Sequence, residues 1–276
     1  MNTQQIAELT TKAIEELAAT LEAGHSETLT QYLAAIGRFH KYSLHNCMLI
    51  VLQKPDATHV AGFHTWHKLA RHVRKGEKAI TIFAPILRRE KKLESGTPER
   101  AEELLLGYRT CAVFDISQTE GKALPSIGKV EGDARHHGAR LAAFALSQGI
   151  RVEYSEAIAP ARGISEGGKI TLLPDLSSAE HAAVLAHELA HEFLHHQTRR
   201  EATTKTVRET EAEAVAYVIS QAMGLETGTA AADYIQLYRG DAKLLLESLH
   251  YIRLAASRIL DGILGEQSQP ETRAAA

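Results

Sequence analysis

The sequence predicts an α+β chain in two domains: a mixed α/β half over residues 1–125 and a mainly helical half with a small sheet over 126–276. Three observations predict it. Alternating apolar segments of strand type lie between helices in the first half, whereas helical spacing dominates the second. Residues 118–133 contain Gly121, Gly128, Gly132 and Pro125, the composition of a linker. The charge changes sign there, from 17 Lys+Arg against 14 Asp+Glu in 1–130 to 14 against 20 in 131–276. With 44% hydrophobic and 24% charged residues, the chain has a globular composition, which excludes disorder as its dominant state.

Taken in order, the elements begin with an amphipathic helix over 3–23, where Leu9, Ala13, Ile14, Leu17 and Leu21 keep helical spacing and Gly24 is a stop. A second helix is expected from Ser26 to Phe39 and an apolar one from Asn46 to Leu52, before Pro55. His64–Val73 reads as a short helix closed by Lys75-Gly76, and Lys78–Pro85 as a strand. Arg88–Glu103, dense in charge, reads as a mobile hairpin tip or loop, and Leu104–Ile116 as the returning strand. The second half offers a helix over 134–148 and strands at Arg151–Tyr154 and Lys169–Leu173. Ser177 and Glu180 make a capping box that opens a long helix. Further helices are expected at Glu209–Met223, Ala231–Tyr238 and Asp241–Ile263, then a polar tail.

No apolar run approaches the ~20 residues of a spanning helix, so no membrane partner is expected. The acidic amphipathic N-terminus is not of signal-peptide type. Cys47 and Cys111 are too few for a disulfide framework or a cysteine zinc site, and read as buried small residues of a cytoplasmic protein.

The strongest chemical signal is His187-Glu188-Leu189-Ala190-His191, inside an apolar helical stretch. His187 and His191 are i and i+4, so both imidazoles leave one face about 6 Å apart along the axis. That spacing suits two ligands of one Zn²⁺, with Glu188 beside them as general base. Charged side chains in a buried helix need such a reason. His195, at i+8, lies about 12 Å from His187 along the axis, too far to share the ion. The third ligand is expected from the following helix. Glu209 and Glu213 share a face there, Glu209 as ligand and Glu213 as acceptor for a ligand histidine. Glu211 points roughly the other way, and its replacement is expected to matter far less than that of Glu209.

His187-Glu188-x-x-His191 followed by Glu209-x-x-Ala212-Glu213-x-x-Ala216 resembles the two-helix core of gluzincin-type zinc peptidases, especially the ImmA/IrrE-like group. In that resemblance Glu209 is the third ligand and the acid four residues later supports a histidine. Glu213 departs from the Asp or Asn of many relatives. The resemblance also implies that an extended peptide substrate pairs beside the strand Lys169–Leu173.

Between Arg38 and Lys92 the chain has 12 Lys+Arg against 3 Asp+Glu. Such a block serves a polyanion or is a solvated face. Tyr42-Ser43-x-x-Asn46, Thr65-Trp66-x-x-Leu69-Ala70-Arg71 running to Lys78, and Val113-Phe114-Asp115-Ile116-Ser117-Gln118-Thr119 resemble the N-terminal domain of ArdC-type antirestriction proteins. The resemblance implies a single-stranded-DNA-binding module fused to a metallopeptidase-like domain, and it covers nearly the whole chain. A basic groove with aromatic faces would hold such a strand. The candidates are Arg71, Arg74, Lys75, Lys78, Arg88 and Arg89, with Trp66 either stacking on a base or packing on the Ile80 strand. The function this implies is protection of incoming mobile DNA, such as a plasmid, by a DNA-associated zinc metallopeptidase acting on an unidentified protein. Two alternatives remain open. One is a DNA-binding protein with an idle zinc site, the other a peptidase that cleaves a transcriptional repressor.

Overall fold

A computed structural model describes residues 3–23, 27–89, 103–123, 134–225 and 241–264. The chain is α+β and divides into two compact units. Among the described residues one unit contains 3–11, 49–89 and 103–122, and the other 12–23, 27–48, 123, 134–225 and 241–264. Compared with the division expected after residue 125, residues 12–48 group with the second unit. Residues 90–102 of the hairpin tip expected at Arg88–Glu103, residues 124–133 of the linker expected at 118–133, the helix at 231–238 and the polar tail lie outside the described residues.

Helices α1 (Thr3–Glu22), α2 (Glu27–Arg38) and α3 (Leu44–Gln53) open the chain. The first unit is built on a three-stranded antiparallel sheet of order β1-β4-β3, with β1 at Val60–Gly62, β3 at Ile80–Arg89 and β4 at Glu103–Asp115. Strand β3 runs past the expected end at Pro85, and Arg88 pairs with Leu104. A register shift between Ile86 and Leu87, beside Gly107 at φ +154°, lets the pairing continue. Ile86, Leu87, Leu104 and Leu105 are exposed on this ribbon, so charge is tolerated there as well.

Helix α4 (Phe63–Lys68) is shorter than expected. Ala70 turns at φ +55°, and Arg71–Val73 becomes strand β2, paired with β5 (Thr119–Gly121). Gly121 permits that pairing, because a Cβ there would lie 2.4 Å from the Ala70 carbonyl oxygen. Asp115 and Gln118 lock the corner between β4 and β5. The Asp115 carboxylate accepts the N–H groups of Thr58, His59 and Ser117, and the Gln118 amide donates to the Lys78 carbonyl at 2.7 Å.

The second unit carries a small sheet of order β6-β8-β7, with β6 at Arg151–Tyr154, β7 at Gly163–Ser165 and β8 at Lys169–Leu172. Strand β8 is central, parallel to β6 and antiparallel to β7. Around it stand α5 (Ala134–Ser147), α6 (Ser178–Leu194), α7 (Gln197–Ala202), α8 (Lys205–Ala222) and α9 (Ala242–Leu264). Helix α6 starts at the expected box: the Glu180 N–H donates to Ser177 Oγ and the Ser177 N–H to Glu180 Oε2. Leu185, Ala186, Leu189 and Ala190 of α6 are buried, as are Ala212, Val215, Ala216 and Ile219 of α8. Helix α2 packs on α8 at Gly37, where a Cβ would lie 3.1 Å from the Val218 carbonyl oxygen. No described helix is long and apolar enough to cross a membrane.

Candidate metal centre

Helices α6 and α8 pack together and bring His187, His191 and Glu209 to one point. The Nε2 atoms of the two histidines are 3.1 Å apart, and each lies 3.6 Å from Glu209 Oε2. A tetrahedral ion with ligand bonds of about 2.1 Å has ligand–ligand edges of about 3.4 Å. The triangle therefore fits one small divalent cation with a position left open. Glu213 sits behind His187, its Oε2 3.3 Å from Nδ1.

The electrostatics favour positive charge at this point. Burial works against a charged His187, but its bonds to Glu209 and Glu213 prevail and raise its pKa to about 9. Burial and the neighbouring His187 charge push His191 down to about 4. Glu209 is held at about 2, first by its bond to His187 and against its burial. Glu188 is pushed up to about 7, chiefly by burial.

Strand β7, which the sequence does not announce, completes the site. The Ser165 N–H bonds Glu188, and Glu192, one turn on, accepts the N–H groups of Gly167 and Gly168 at 2.9 and 2.7 Å. Gly163 lets this strand lie close, because a Cβ there would be 2.7 Å from Glu188 Oε1 and from Val184 Cγ1. The signal was present as a glycine five residues before Gly168, but three residues are too few for a periodicity. A cavity of about 560 Å³ is lined by Gly163, Ile164, Ser165, His187, Glu188, His191, Arg200, Lys205, Arg208 and Glu209. The strand facing it is the edge strand β7. Strand β8, where peptide pairing was expected, has both edges taken by β6 and β7.

Glu211 differs from the expectation of a minor residue. It is fully buried and bonded to His195 and Arg199. It does point away from Glu209, but into the core rather than to solvent.

The DNA-binding candidates all lie in the first unit. Trp66 is 2% exposed and its indole N–H donates to the Phe114 carbonyl at 2.9 Å, so it is a core residue with no face for a base. Arg71 is spent on β5 and the residue after it, donating to Thr119 Oγ1, the Thr119 carbonyl and the Lys122 carbonyl. Arg74 donates to Glu77 and to the Ser117 carbonyl. Lys75, Lys78 and Arg88 are exposed, and Arg89 lies at the end of β3. The exposed aromatics of this unit include Phe63 (53%) and Tyr108 (57%). Tyr108 is not evident from the sequence because its strand register, not its neighbours, turns it outward.

Comparison with known proteins finds two family domains along the chain. Residues 2–114 match the family model for the N-terminal domain of anti-restriction factor ArdC, and residues 146–226 match that for the IrrE N-terminal-like domain, a peptidase family. The fold is similar to crystal structures of the antirestriction protein ArdC from plasmid R388. The metal-free structure aligns with a TM-score of 0.53 at 20% identity, over 92% of this chain and 97% of that one. The Mn(II)-bound structure aligns at 0.52 and 20%, over 93% and 98%. An uncharacterized protein of Bacillus anthracis is 24% identical over 283 residues, which cover 84% of this chain and 47% of that protein. The chain thus spans about half the length of that curated relative. The two matched domains, in this order, make the chain an ArdC-type antirestriction protein in its domain content.

Proposed function

We propose that this ArdC-type chain is a DNA-associated metallopeptidase that protects incoming DNA from restriction. The observation that carries the reading is the triangle of His187, His191 and Glu209 with Glu188 in the same cavity. Two imidazoles and a carboxylate in tetrahedral disposition favour Zn²⁺. Such an ion, when bound, would polarise the scissile carbonyl and make water a better nucleophile.

The residues of the chain supply the rest. Glu188, in the cavity beside both histidines, takes the proton of the attacking water. Glu213 orients His187 through Nδ1. Edge strand β7 offers its free side to an extended peptide, with Ile164 at the cavity wall. In the first unit, Lys75, Lys78 and Arg88 provide charge, and Phe63 and Tyr108 provide faces on which single-stranded bases could stack.

The test is transfer of unmodified plasmid DNA into a restricting host that carries the wild-type chain or Glu188→Gln. The reading expects protection by the wild type and its loss in Glu188→Gln with metal still bound. Equal protection by both would overturn the peptidase part and leave DNA binding as the operative activity.

A further inference from the structure

We propose that His195, Glu211 and Arg199 form a positioning relay that sets the tautomer and orientation of His191. The proposal rests on the metal-site reading above and concerns how one of its ligands is held. The two histidines of the triangle are supported in different ways. His187 meets a carboxylate directly, through Nδ1 and Glu213. His191 Nδ1 instead lies 2.9 Å from His195 Nδ1, and His195 Nε2 lies 3.1 Å from Glu211 Oε2. Arg199 grips both oxygens of Glu211, at 2.5 Å and 2.7 Å, and its guanidinium lies over the Tyr251 ring, 3.7 Å from the centroid. The side chains of His195 and Glu211 are 1% and 0% exposed.

The direction of each hydrogen bond follows from the far end. A carboxylate held by a bidentate guanidinium accepts and does not donate. His195 Nε2 therefore carries its hydrogen and donates to Glu211. Two facing Nδ1 atoms at hydrogen-bond distance need one donor and one acceptor. Arg199 already balances the Glu211 charge and His195 is buried, so His195 is neutral; with its hydrogen on Nε2, its Nδ1 is the acceptor and His191 Nδ1 is the donor. His191 Nε2 is then bare, and it is this atom that faces His187 Nε2 and Glu209 Oε2. If the chain ran the other way, a hydrogen would sit on the nitrogen that faces the cation. The relay also explains an acid that the helix periodicity alone turns away from the site. Glu211 acts on the metal through His195, the residue that caps the C-terminus of α6 one turn beyond His191.

Two substitutions separate polarity from packing. In His195→Gln, the amide oxygen can accept from His191 and the amide N–H can donate to Glu211, so the direction of the relay is kept. His195→Phe keeps a ring and loses both bonds. The measurement is Zn²⁺ affinity of the full chain by competition with a chromophoric chelator, together with the visible spectrum of the Co²⁺-loaded form. His195→Phe should bind Zn²⁺ about 10–100-fold more weakly and shift the Co²⁺ bands, as losses behind a ligand histidine do. His195→Gln should stay within the wild type's order of magnitude and keep its spectrum. A His195→Phe chain that melts cooperatively and matches the wild type in both readouts would overturn the relay. Equal weakening by Phe and Gln would overturn it as well, since position 195 would then matter only for packing. Should His195→Phe fail to fold, Glu211→Gln decides: at least tenfold weaker Zn²⁺ binding is expected, and wild-type affinity would overturn the proposal. A wild-type chain that takes up neither Zn²⁺ nor Co²⁺ would refute the metal reading itself, and the relay with it.

Discussion

The α6–α8 pair and the sheet unit treat their charged residues in opposite ways. On α6 and α8, His187, Glu188, His191 and Glu209 meet at one cavity, with Glu213, four residues beyond Glu209, behind His187. In the sheet unit the basic residues of one sequence window divide by role. Arg71 and Arg74 hold backbone carbonyls, while Lys75, Lys78 and Arg88 stand at the surface. Chemistry that needs a fixed geometry leaves a fixed spacing in the sequence. Binding by diffuse charge does not, so a basic window cannot separate a residue that grips phosphate from one that closes a turn.

Replacing His187 and His191 together by Ala should abolish stoichiometric metal in the purified chain, as read by elemental analysis. Retained metal would place the ion elsewhere. The next effect concerns Trp66. As a buried residue with a bonded indole N–H, Trp66→Ala should cost about 3–5 kcal/mol of unfolding stability in urea. A folded, undiminished domain that had merely lost DNA affinity would restore the stacking role.

Two smaller effects sharpen the weaker side. Tyr108→Ala, at an exposed site, should cost about 1–3 kcal/mol of single-strand affinity, measured by fluorescence titration. The same change should leave stability within about 0.5 kcal/mol. No loss of affinity would remove Tyr108 from the interface. Lys75→Ala with Lys78→Ala should flatten the log–log dependence of affinity on salt by roughly 0.7 for each phosphate no longer neutralised. An unchanged slope would make both lysines part of a solvated face.

The helices with strong periodicity and the capping box at Ser177 were legible in the sequence, as was the histidine pair whose spacing one helix dictates. Strand β2 was not, because Arg71–Val73 continues an apparent helix and leaves it only at the positive φ of Ala70. Strand β7 was not, because three residues between turns carry no period. Glu211 was legible as a helix position but not as a partner. Its role depends on Arg199, in the short helix α7 that the sequence did not announce, and on the burial of His195. The indole of Trp66 could be placed only with the carbonyl of Phe114, 48 residues away.

The central claim is the three-residue metal centre, and anomalous diffraction from crystals of the full chain loaded with Zn²⁺ tests it most directly. One strong peak is expected at the zinc edge, bonded to Nε2 of His187, Nε2 of His191 and an oxygen of Glu209 at about 2.0–2.2 Å. A peak held by His195 or Glu211, or no peak within reach of all three residues, would contradict it.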